Sequence, residues 1–419
     1  MSKFLLTVWP IRTHLNPFMA VAHALRRRGH EVAFYTSAGV LDSLRKQGFT
    51  CFPFQAVDEA RVGRAVRGLV SDGSPKRWQE LMLGTVPDQL RDLEDVWKSW
   101  QPQAVLCDVA MWGPILVLQE LKGVPVTLLS HVASCLLPGP ENLLPGMRWL
   151  LKGTPLRPLA PAIAWIWQRL SAGVPRAANK LRETWGLPRL PGTVTDLTGT
   201  LPLYLVPGTA AFDGNRRDLP PSVHYVGPCL WDKDPDQPPP EWIATLPRDL
   251  PMVIVSEGTI YPDEPRLLRM AARGLANLPC NVVLIAGEGR SLESLNLGTL
   301  APNIRVQTWT PLSDVLPVAD VLVAGGDSET VMAALDQKVP MVLVPIILDQ
   351  PEISWRVAVS GAGLRIPGRR CSPVRLAAAV SRVLKERQFR DNAARARDEC
   401  RQYSGGDLAA SLLEKLVSI

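Results

Sequence analysis

The sequence predicts two α/β domains, each built on a mostly parallel sheet, joined by a proline-rich linker. At 419 residues the chain is too long for a single hydrophobic core. Short apolar runs alternate with helical patterns in both halves, as parallel strands alternate with their crossover helices. A proline cluster at 238–240 separates the halves, and such a cluster continues neither a strand nor a helix.

These patterns also place the domain boundaries. Residues 1–228 form the predicted N-terminal domain, 229–250 the linker and 251–400 the C-terminal domain. Residues 401–419 are predicted to form a helix that packs back on the N-terminal domain. Parallel sheets bind ligands at the carboxyl ends of their strands, so the two sheets are expected to face each other across a ligand-binding cleft.

The composition is that of an ordinary globular protein, with 46% hydrophobic and 21% charged residues. No signal-peptide cleavage site follows the first residues, and no apolar run has the roughly 20 residues of a membrane span. Seven scattered cysteines argue against disulfides or a zinc site and favour the cytoplasm. The net charge is +6, and the one dense run of positive charge, Arg26–Arg28, falls at a predicted helix end. Cations at that position complement the helix dipole, so nucleic acid is not an expected partner.

The first β-α-β pattern places a histidine after a strand. The apolar run 4–10 predicts a buried strand, and Asn16 and Pro17 look like the N-cap and first residue of a helix that stops at Gly29. His14 therefore lies at the carboxyl end of the first strand. An imidazole suits general-base chemistry near neutral pH, although a lone histidine is more often structural.

Asp108 ends another predicted strand of the same domain, 104–108. Both side chains could then meet at one edge of the sheet, where an aspartate would orient the His14 imidazole and stabilise its protonated form. The alternative, which has equal weight on spacing alone, is a helix N-cap ahead of Pro114.

Two turns of small residues follow strands in the second half. AGGDSET at 324–330 leads into a helix, and helix N-termini favour phosphate, although Gly-Gly turns also occur for steric reasons. SEGT at 256–259 is placed to approach the same anion. Asp232 and Asp234 have the spacing of a metal-binding carboxylate pair, but their position in the linker favours a solvated turn.

Residues 131–195 are rich in Trp, Leu and Pro and show weak periodicity. Such aromatic residues either pack in a core or form the apolar wall of a pocket for a hydrophobic small molecule. The candidates for that acceptor pocket are Trp112, His131, Trp149 and Trp165.

Together these motifs resemble the family 1 nucleotide-sugar-dependent glycosyltransferases of the GT-B type, in particular bacterial enzymes that act on natural products. The resemblance covers nearly the whole chain. It rests on THLNP (13–17), LCDVAMWG (106–113), SEGT (256–259), WTPLSDVLPVADVLVAGGDSET (309–330), VPMVLVP (339–345), DQPEISWRV (349–357) and GAGLRI (361–366).

The resemblance implies a GT-B fold of two Rossmann-like domains and an inverting transfer from a UDP- or dTDP-sugar to a hydroxyl of a hydrophobic natural product. His14 corresponds to the catalytic base and Asp108 to its dyad partner. No catalytic metal and no permanently bound cofactor are implied, because the nucleotide sugar is a co-substrate. The protein is expected to be a monomer or homodimer.

The resemblance also implies a set of donor-binding residues. Trp309 would stack near the nucleotide base, Ser256 and Thr259 would lie beside the diphosphate, and Asp349 and Gln350 would hold sugar hydroxyls. The full set is Ser256, Gly258, Thr259, Trp309, Gly325, Gly326, Asp327, Ser328, Glu329, Thr330, Asp349 and Gln350.

The phosphate-side turn departs from the family pattern. Gly325 stands where the family usually has a histidine, Asp327 stands at the second glycine, and Leu312 replaces a glutamine. A missing donor and an added carboxylate are expected to weaken donor binding. Two alternative functions follow: a pseudo-enzyme or helper protein that keeps the fold, and a membrane-surface glycosyltransferase that acts on a lipid-linked acceptor.

Overall fold

The computed structural model describes residues 1–61, 63–64, 79–80, 82–130, 137–138, 173–190, 192, 194–233, 236–259, 264–347 and 349–418. The chain divides into two compact units. The first unit comprises Met1–Cys229 and Ser404–Ile419, and the second comprises Leu230–Tyr403.

A parallel sheet forms the centre of the first unit. Its described strands are β1 (Lys3–Thr7), β2 (Glu31–Thr36), β3 (Thr50–Pro53), β4 (Ala104–Asp108), β5 (Val126–Leu129), β6 (Tyr204–Val206) and β7 (Val223–Tyr225). They are arranged in the order β3-β2-β1-β4-β5-β6-β7. Every adjacent pair is parallel. The order reverses direction beside β1 and β4, which is where ligands of such sheets bind.

The second unit also contains a parallel sheet. Its described strands are β8 (Met252–Ser256), β9 (Asn281–Ile285), β10 (Ile304–Gln307), β11 (Val321–Ala324), β12 (Met341–Leu343) and β13 (Gly363–Arg365). Their order is β10-β9-β8-β11-β12-β13, and all adjacent pairs are parallel. Two parallel α/β units confirm the predicted fold class.

Helices connect these strands. In the first unit they are α1 (Arg12–Arg27), α2 (Leu41–Lys46), α3 (Val86–Ser99), a π-helical segment (Pro114–Leu118), α4 (Gln119–Lys122), α5 (Gly173–Thr184) and α6 (Val194–Thr200). In the second unit they are α7 (Glu241–Ala244), α8 (Arg266–Gly274), α9 (Leu312–Val315), α10 (Ser328–Asp336), α11 (Gln350–Ser360), α12 (Pro373–Lys385) and α13 (Gln388–Cys400). The last helix, α14 (Gly406–Val417), belongs to the first unit.

The central strands are buried on both faces, as parallel sheets covered by helices require. Leu5 and Leu6 of β1 and Val253 and Ile254 of β8 have no exposed surface. This explains why the sequence shows these strands as continuous apolar runs rather than as alternating patterns.

Helix α1 begins earlier than the sequence predicted. Asn16 and Pro17 are not the N-cap and first residue, because the helix starts at Arg12 with Ile11 as its N-cap. The amides of His14 and Leu15 already donate to the Ile11 carbonyl. Pro17 lies inside the helix, where its missing N–H removes one backbone hydrogen bond. His14 is therefore in the first turn of α1, and the direction of its side chain is set by this helical position.

Helix α14 packs along α1 in the first unit. A side chain at Gly406 would bring its Cβ within 2.5 Å of the Ala20 carbonyl oxygen, so this contact requires glycine. Glu414 accepts hydrogen bonds from Arg28 and His30, and the bond from His30 lowers the Glu414 pKa. These contacts join the end of the described chain to the helix that carries His14.

The segment that the sequence assigned to a solvated turn packs within the second unit. Asp232 accepts a hydrogen bond from the Ser313 amide at the start of α9. Lys233 forms an ion pair with Asp314, and both side chains are largely buried. The solvated-turn prediction was wrong because these charges satisfy polar groups of α9, whereas Asp234 lies outside the described residues.

Within the described ranges, no group of three or more His, Cys, Asp or Glu side chains is placed to hold a metal ion. No helix in the same ranges is both long and apolar enough to cross a membrane. The six cysteines that the structure describes are Cys51, Cys107, Cys229, Cys280, Cys371 and Cys400, and all are free thiols.

Candidate active site

His14 and Asp108 form a buried pair in the first unit. The Nδ1 atom of His14 lies 2.8 Å from Oδ2 and 3.0 Å from Oδ1 of Asp108. The His14 side chain is 13% exposed and that of Asp108 is fully buried. Their strands are neighbours, since β1 pairs with β4 up to Thr7 and Cys107. The predicted meeting of the two side chains at one sheet edge therefore agrees with the observed geometry.

The carboxylate of Asp108 is held by backbone donors as well as by His14. The Trp9 amide donates to Oδ2 at 3.0 Å and the Ala110 amide donates to Oδ1 at 2.9 Å. Both oxygens therefore accept hydrogen bonds, which favours the ionised form of a buried carboxylate. Asp108 is not the N-cap of the helical segment that begins near Pro114, because Gly113 precedes Pro114–Leu118 without a side-chain cap, and the amide that Asp108 accepts from, that of Ala110, lies in the preceding turn.

This arrangement determines which ring nitrogen of His14 carries the proton. A carboxylate only accepts hydrogen bonds, so Nδ1 must be the protonated nitrogen. Nε2 is then the basic nitrogen. A neutral imidazole with its second nitrogen held by a buried carboxylate is the arrangement that general-base catalysis requires.

The structure gives little support to the acceptor-pocket candidates. Trp112 is only 1% exposed and packs in the hydrophobic core of the first unit, and its assignment to the acceptor pocket stays a prediction. It lies in the helical turn that leads into the buried π-helical segment Pro114–Leu118. His131, Trp149 and Trp165 lie outside the described residues.

The phosphate-side turn of the second unit connects β11 to α10. Gly326 has φ +94°, a conformation that favours glycine. Asp327 is the N-cap of α10, and its Oδ1 accepts from the Thr330 amide at 3.0 Å. Burial raises the pKa of the Asp327 carboxyl. Asp327 therefore caps the helix.

A second carboxylate reaches the same helix terminus. Asp349 is the N-cap residue of α11, but its Oδ2 accepts from the amide of Ser328 in α10 at 3.2 Å. Two amides of the first turn of α10, those of Ser328 and Thr330, thus donate to carboxylates of the protein itself. Glu329 lies between them and adds a third acidic side chain to this turn.

The SEGT turn lies beside this helix terminus. Gly258 has φ +77°, and a Cβ built on it would lie 3.8 Å from Asp327 Oδ2. Ser256 Oγ accepts from the Gly258 amide. The hydroxyl of Thr259 is buried without a hydrogen-bond partner among the described residues. The structure therefore places side by side the two turns that the sequence predicted to approach one anion.

A buried ion pair that sequence reasoning missed supports the SEGT turn. Glu257 Oε2 lies 3.1 Å from Arg290 Nε, and it also accepts from the Gly287 amide. Burial raises the pKa of Glu257, and Arg290 opposes that rise. The pair joins the loops after β8 and β9. The only sequence signal was a charged residue inside a turn of small residues.

Trp309 and Gln350 are also in the second unit. Trp309 is half-buried in the loop between β10 and α9. Gln350 begins α11, and its side-chain oxygen accepts from the amides of Ile346 and Ile347 at 2.9 and 3.2 Å. The Gln350 carboxamide is therefore fixed by the backbone of its own loop.

Several known proteins are similar to this chain. Residues 272–409 match the family described as erythromycin biosynthesis protein CIII-like, C-terminal domain. The chain is 30% identical to 4'-demethylrebeccamycin synthase of Lentzea aerocolonigenes, over 99% of this chain and 100% of that protein.

Two solved structures share the fold. The glycotransferase of kitacinnamycin has a TM-score of 0.79 and 23% identity, with 99% of each chain covered. The spinosyn rhamnosyltransferase SpnG complexed with thymidine diphosphate has a TM-score of 0.71 and 19% identity, covering 99% of this chain and 100% of that one. These likenesses extend over both units.

Proposed function

The chain belongs to the bacterial natural-product branch of the family 1 GT-B glycosyltransferases, and we propose that it transfers a sugar with inversion to a hydroxyl of a hydrophobic small molecule. The proposed donor is a UDP- or dTDP-sugar. The observation that carries the proposal is the buried His14–Asp108 pair, in which the carboxylate contacts Nδ1 and leaves Nε2 as the basic nitrogen. The similar proteins support the broader function, that of a nucleotide-sugar glycosyltransferase of natural-product biosynthesis.

The proposed step uses His14 as the base. Nε2 takes the proton of the acceptor hydroxyl as that oxygen forms a bond to the anomeric carbon of the sugar. The bond from this carbon to the diphosphate oxygen breaks on the opposite face, and the nucleoside diphosphate leaves, so the configuration inverts. Asp108 stabilises the positive charge that develops on the imidazole.

The donor is proposed to bind the second unit. The hydroxyls of Ser256 and Thr259 and the first turn of α10 are placed together there, and hydroxyl and N–H donors suit a diphosphate. Trp309 is proposed to stack near the nucleotide base. Thymidine diphosphate in the complex of SpnG supports a dTDP-sugar as one of the two donor classes.

A nucleotide panel followed by product analysis tests this function. UDP, dTDP, UDP-glucose and dTDP-glucose are added separately, and the shift in melting temperature is measured for each. A donor and acceptor pair that the enzyme converts then gives a product, and NMR coupling constants report the anomeric configuration of that product. Inversion supports the proposal, whereas retention overturns the mechanism. Binding without any turnover across the acceptor panel would favour the helper-protein alternative.

The charge of Asp327 is expected to oppose donor binding. Asp327→Asn keeps an oxygen that caps Thr330 but removes the charge, so donor Kd should fall roughly threefold to tenfold. Because burial raises the Asp327 pKa, the wild-type carboxyl gains a proton as pH falls, and the difference between wild type and variant should narrow. Calorimetry at several pH values measures both effects.

The matched control for Asp327→Asn is Asp327→Gly, which removes the charge and the cap together. It should lower the free energy of unfolding by a few tenths of a kcal/mol. An unchanged donor Kd in both variants would show that this carboxylate does not face the phosphates.

Activity is expected to survive EDTA. The proposed donor site holds the diphosphate through N–H and hydroxyl groups, and Asp232 is already engaged with the Ser313 amide. Initial rates before and after chelation are the measurement. Loss of activity with EDTA and its recovery with magnesium or manganese would contradict this expectation.

A further inference from the structure

Two neighbouring residues of the linker bind helix α9. Asp232 Oδ2 accepts a hydrogen bond from the Ser313 amide at 2.8 Å. Lys233 forms an ion pair with Asp314, and its ammonium group also donates to the Gln237 carbonyl at 2.8 Å. We call this set of bonds the linker–α9 contact. All of its residues belong to the second unit.

The linker–α9 contact satisfies groups that α9 does not satisfy itself. The N-cap residue of α9 is Pro311, which makes no side-chain capping bond, so Asp232 accepts from an amide at this helix start. The side chains of Lys233 and Asp314 are only 14% and 5% exposed. A buried charge is costly without its counter-charge, so loss of Lys233 would destabilise the present position of Asp314.

The position of α9 determines the position of Trp309. This residue lies in the short loop between β10, the edge strand of the sheet, and α9. Only three residues separate Trp309 from Ser313, and one of them is Pro311, whose ring restricts the backbone. The Thr310 hydroxyl donates to the Thr308 carbonyl within the same loop at 3.1 Å. A shift of α9 is therefore passed on to Trp309.

We propose that Asp232 and Lys233 are positioning residues for the base of the nucleotide donor. They hold α9, and α9 holds the loop from which Trp309 stacks near the base. The inference rests on the proposed function, which assigns this stacking to Trp309. Ordering a loop when the ligand binds costs affinity, so a loop that is already held in place binds more tightly. The linker thereby contributes to donor binding.

The test is calorimetry with UDP and dTDP on wild type, Lys233→Met and Asp232→Ala. Methionine has a similar apolar stem without the charge, so Asp314 loses its ion-pair partner. We expect the Kd of Lys233→Met to rise about tenfold for both nucleotides, as for the loss of one stacked base. The rise for Asp232→Ala should be smaller. Unchanged Kd values in both variants would overturn the inference.

A conservative variant of Asp232 checks the role of its hydrogen bond. Asp232→Asn keeps an oxygen that can accept from the Ser313 amide, so its Kd should stay close to that of wild type. Recovery of tight binding in Asp232→Asn relative to Asp232→Ala supports the inference. A loss as large as that of Asp232→Ala contradicts the assignment of this hydrogen bond.

Trp309 separates positioning from general support of the fold. In a Trp309→Ala background the linker–α9 contact has no ring left to position, so Lys233→Met should change the nucleotide Kd little. The two substitutions should therefore be non-additive. A merely structural role of Lys233 would weaken binding by the same factor in both backgrounds, and that result would overturn the inference.

Asp320 is the matched control in the same unit. Its Oδ2 accepts from the Met252 amide at 2.8 Å and its Oδ1 pairs with Arg390. Met252 begins β8, whereas Trp309 follows the end of β10, so the control lies at the opposite ends of the strands. Asp320→Ala should lower the melting temperature and leave the nucleotide Kd unchanged. An equal rise of Kd in Asp320→Ala and Asp232→Ala would show a general loss of stability instead.

The failure of this inference is distinct from the failure of the proposed function. If wild type binds neither UDP nor dTDP, the donor site itself is wrong and the inference falls with it. If Trp309→Ala binds both as tightly as wild type, the proposed stacking is wrong and the inference falls again. If Trp309→Ala weakens binding but Lys233→Met does not, only the role of the linker is wrong. Melting temperatures of all variants identify any that lose binding by unfolding.

Discussion

His14→Ala is expected to lower kcat by about 10²- to 10⁴-fold, the usual range for loss of a general base. The imidazole is held by Asp108 at 2.8 Å. Donor Kd should stay near the wild-type value, since the proposed donor site lies in the other unit. Steady-state rates with an aliphatic alcohol acceptor and calorimetry with the nucleotide give the two numbers.

The acceptor itself provides the control for this prediction. An acidic phenol ionises without help, so the loss of kcat in His14→Ala should be smaller with a phenol than with an aliphatic alcohol. Turnover near that of wild type with the aliphatic alcohol would rule out His14 as the base.

Asp108→Asn is expected to lower kcat by a similar factor, about 10²- to 10⁴-fold. Both oxygens of Asp108 accept hydrogen bonds, from the Trp9 and Ala110 amides and from His14. Asparagine offers one oxygen and one NH2 group, so the NH2 group must face a donor. If it faces His14, Nδ1 becomes an acceptor and the proton moves to Nε2, which can then no longer act as a base.

A second buried carboxylate of the same unit is the matched control. Asp92 accepts from the Tyr35 hydroxyl and from the Gln55 and Ala56 amides. Asp92→Asn disturbs a comparable hydrogen-bond network away from His14, so it should lower the melting temperature while kcat changes little. If both Asn variants lose kcat equally, the effect at Asp108 reflects general destabilisation and not the tautomer of His14.

The fold and the meeting of His14 with Asp108 were predictable from the sequence for a simple reason. Strands buried on both faces appear as apolar runs, and side chains that follow neighbouring parallel strands come together at one sheet edge. Cys107 and Asp108 close one such run, and the run that includes Leu5 and Leu6 precedes His14. Local pattern and topology therefore suffice for these features.

Other features depend on contacts between distant residues and were missed. The Asn16–Pro17 signal for a helix start is local, whereas the actual start depends on the Ile11 carbonyl accepting from His14 and Leu15 after the turn that follows β1. The hydrogen bond from the Ser313 amide to Asp232 joins two segments that are far apart in the sequence. No pattern within a single sequence predicts such pairings, because neither residue on its own indicates which distant residue it contacts.

The first unit is built from two separated stretches of chain, Met1–Cys229 and Ser404–Ile419. During translation the first stretch leaves the ribosome without α14, and the surface of α1 against which α14 packs has no partner while the second unit is synthesised. At about 5–20 residues per second this interval is on the order of ten seconds or more. The second unit is continuous and can fold first. The nascent chain must therefore avoid aggregation of an incomplete first unit until α14 emerges.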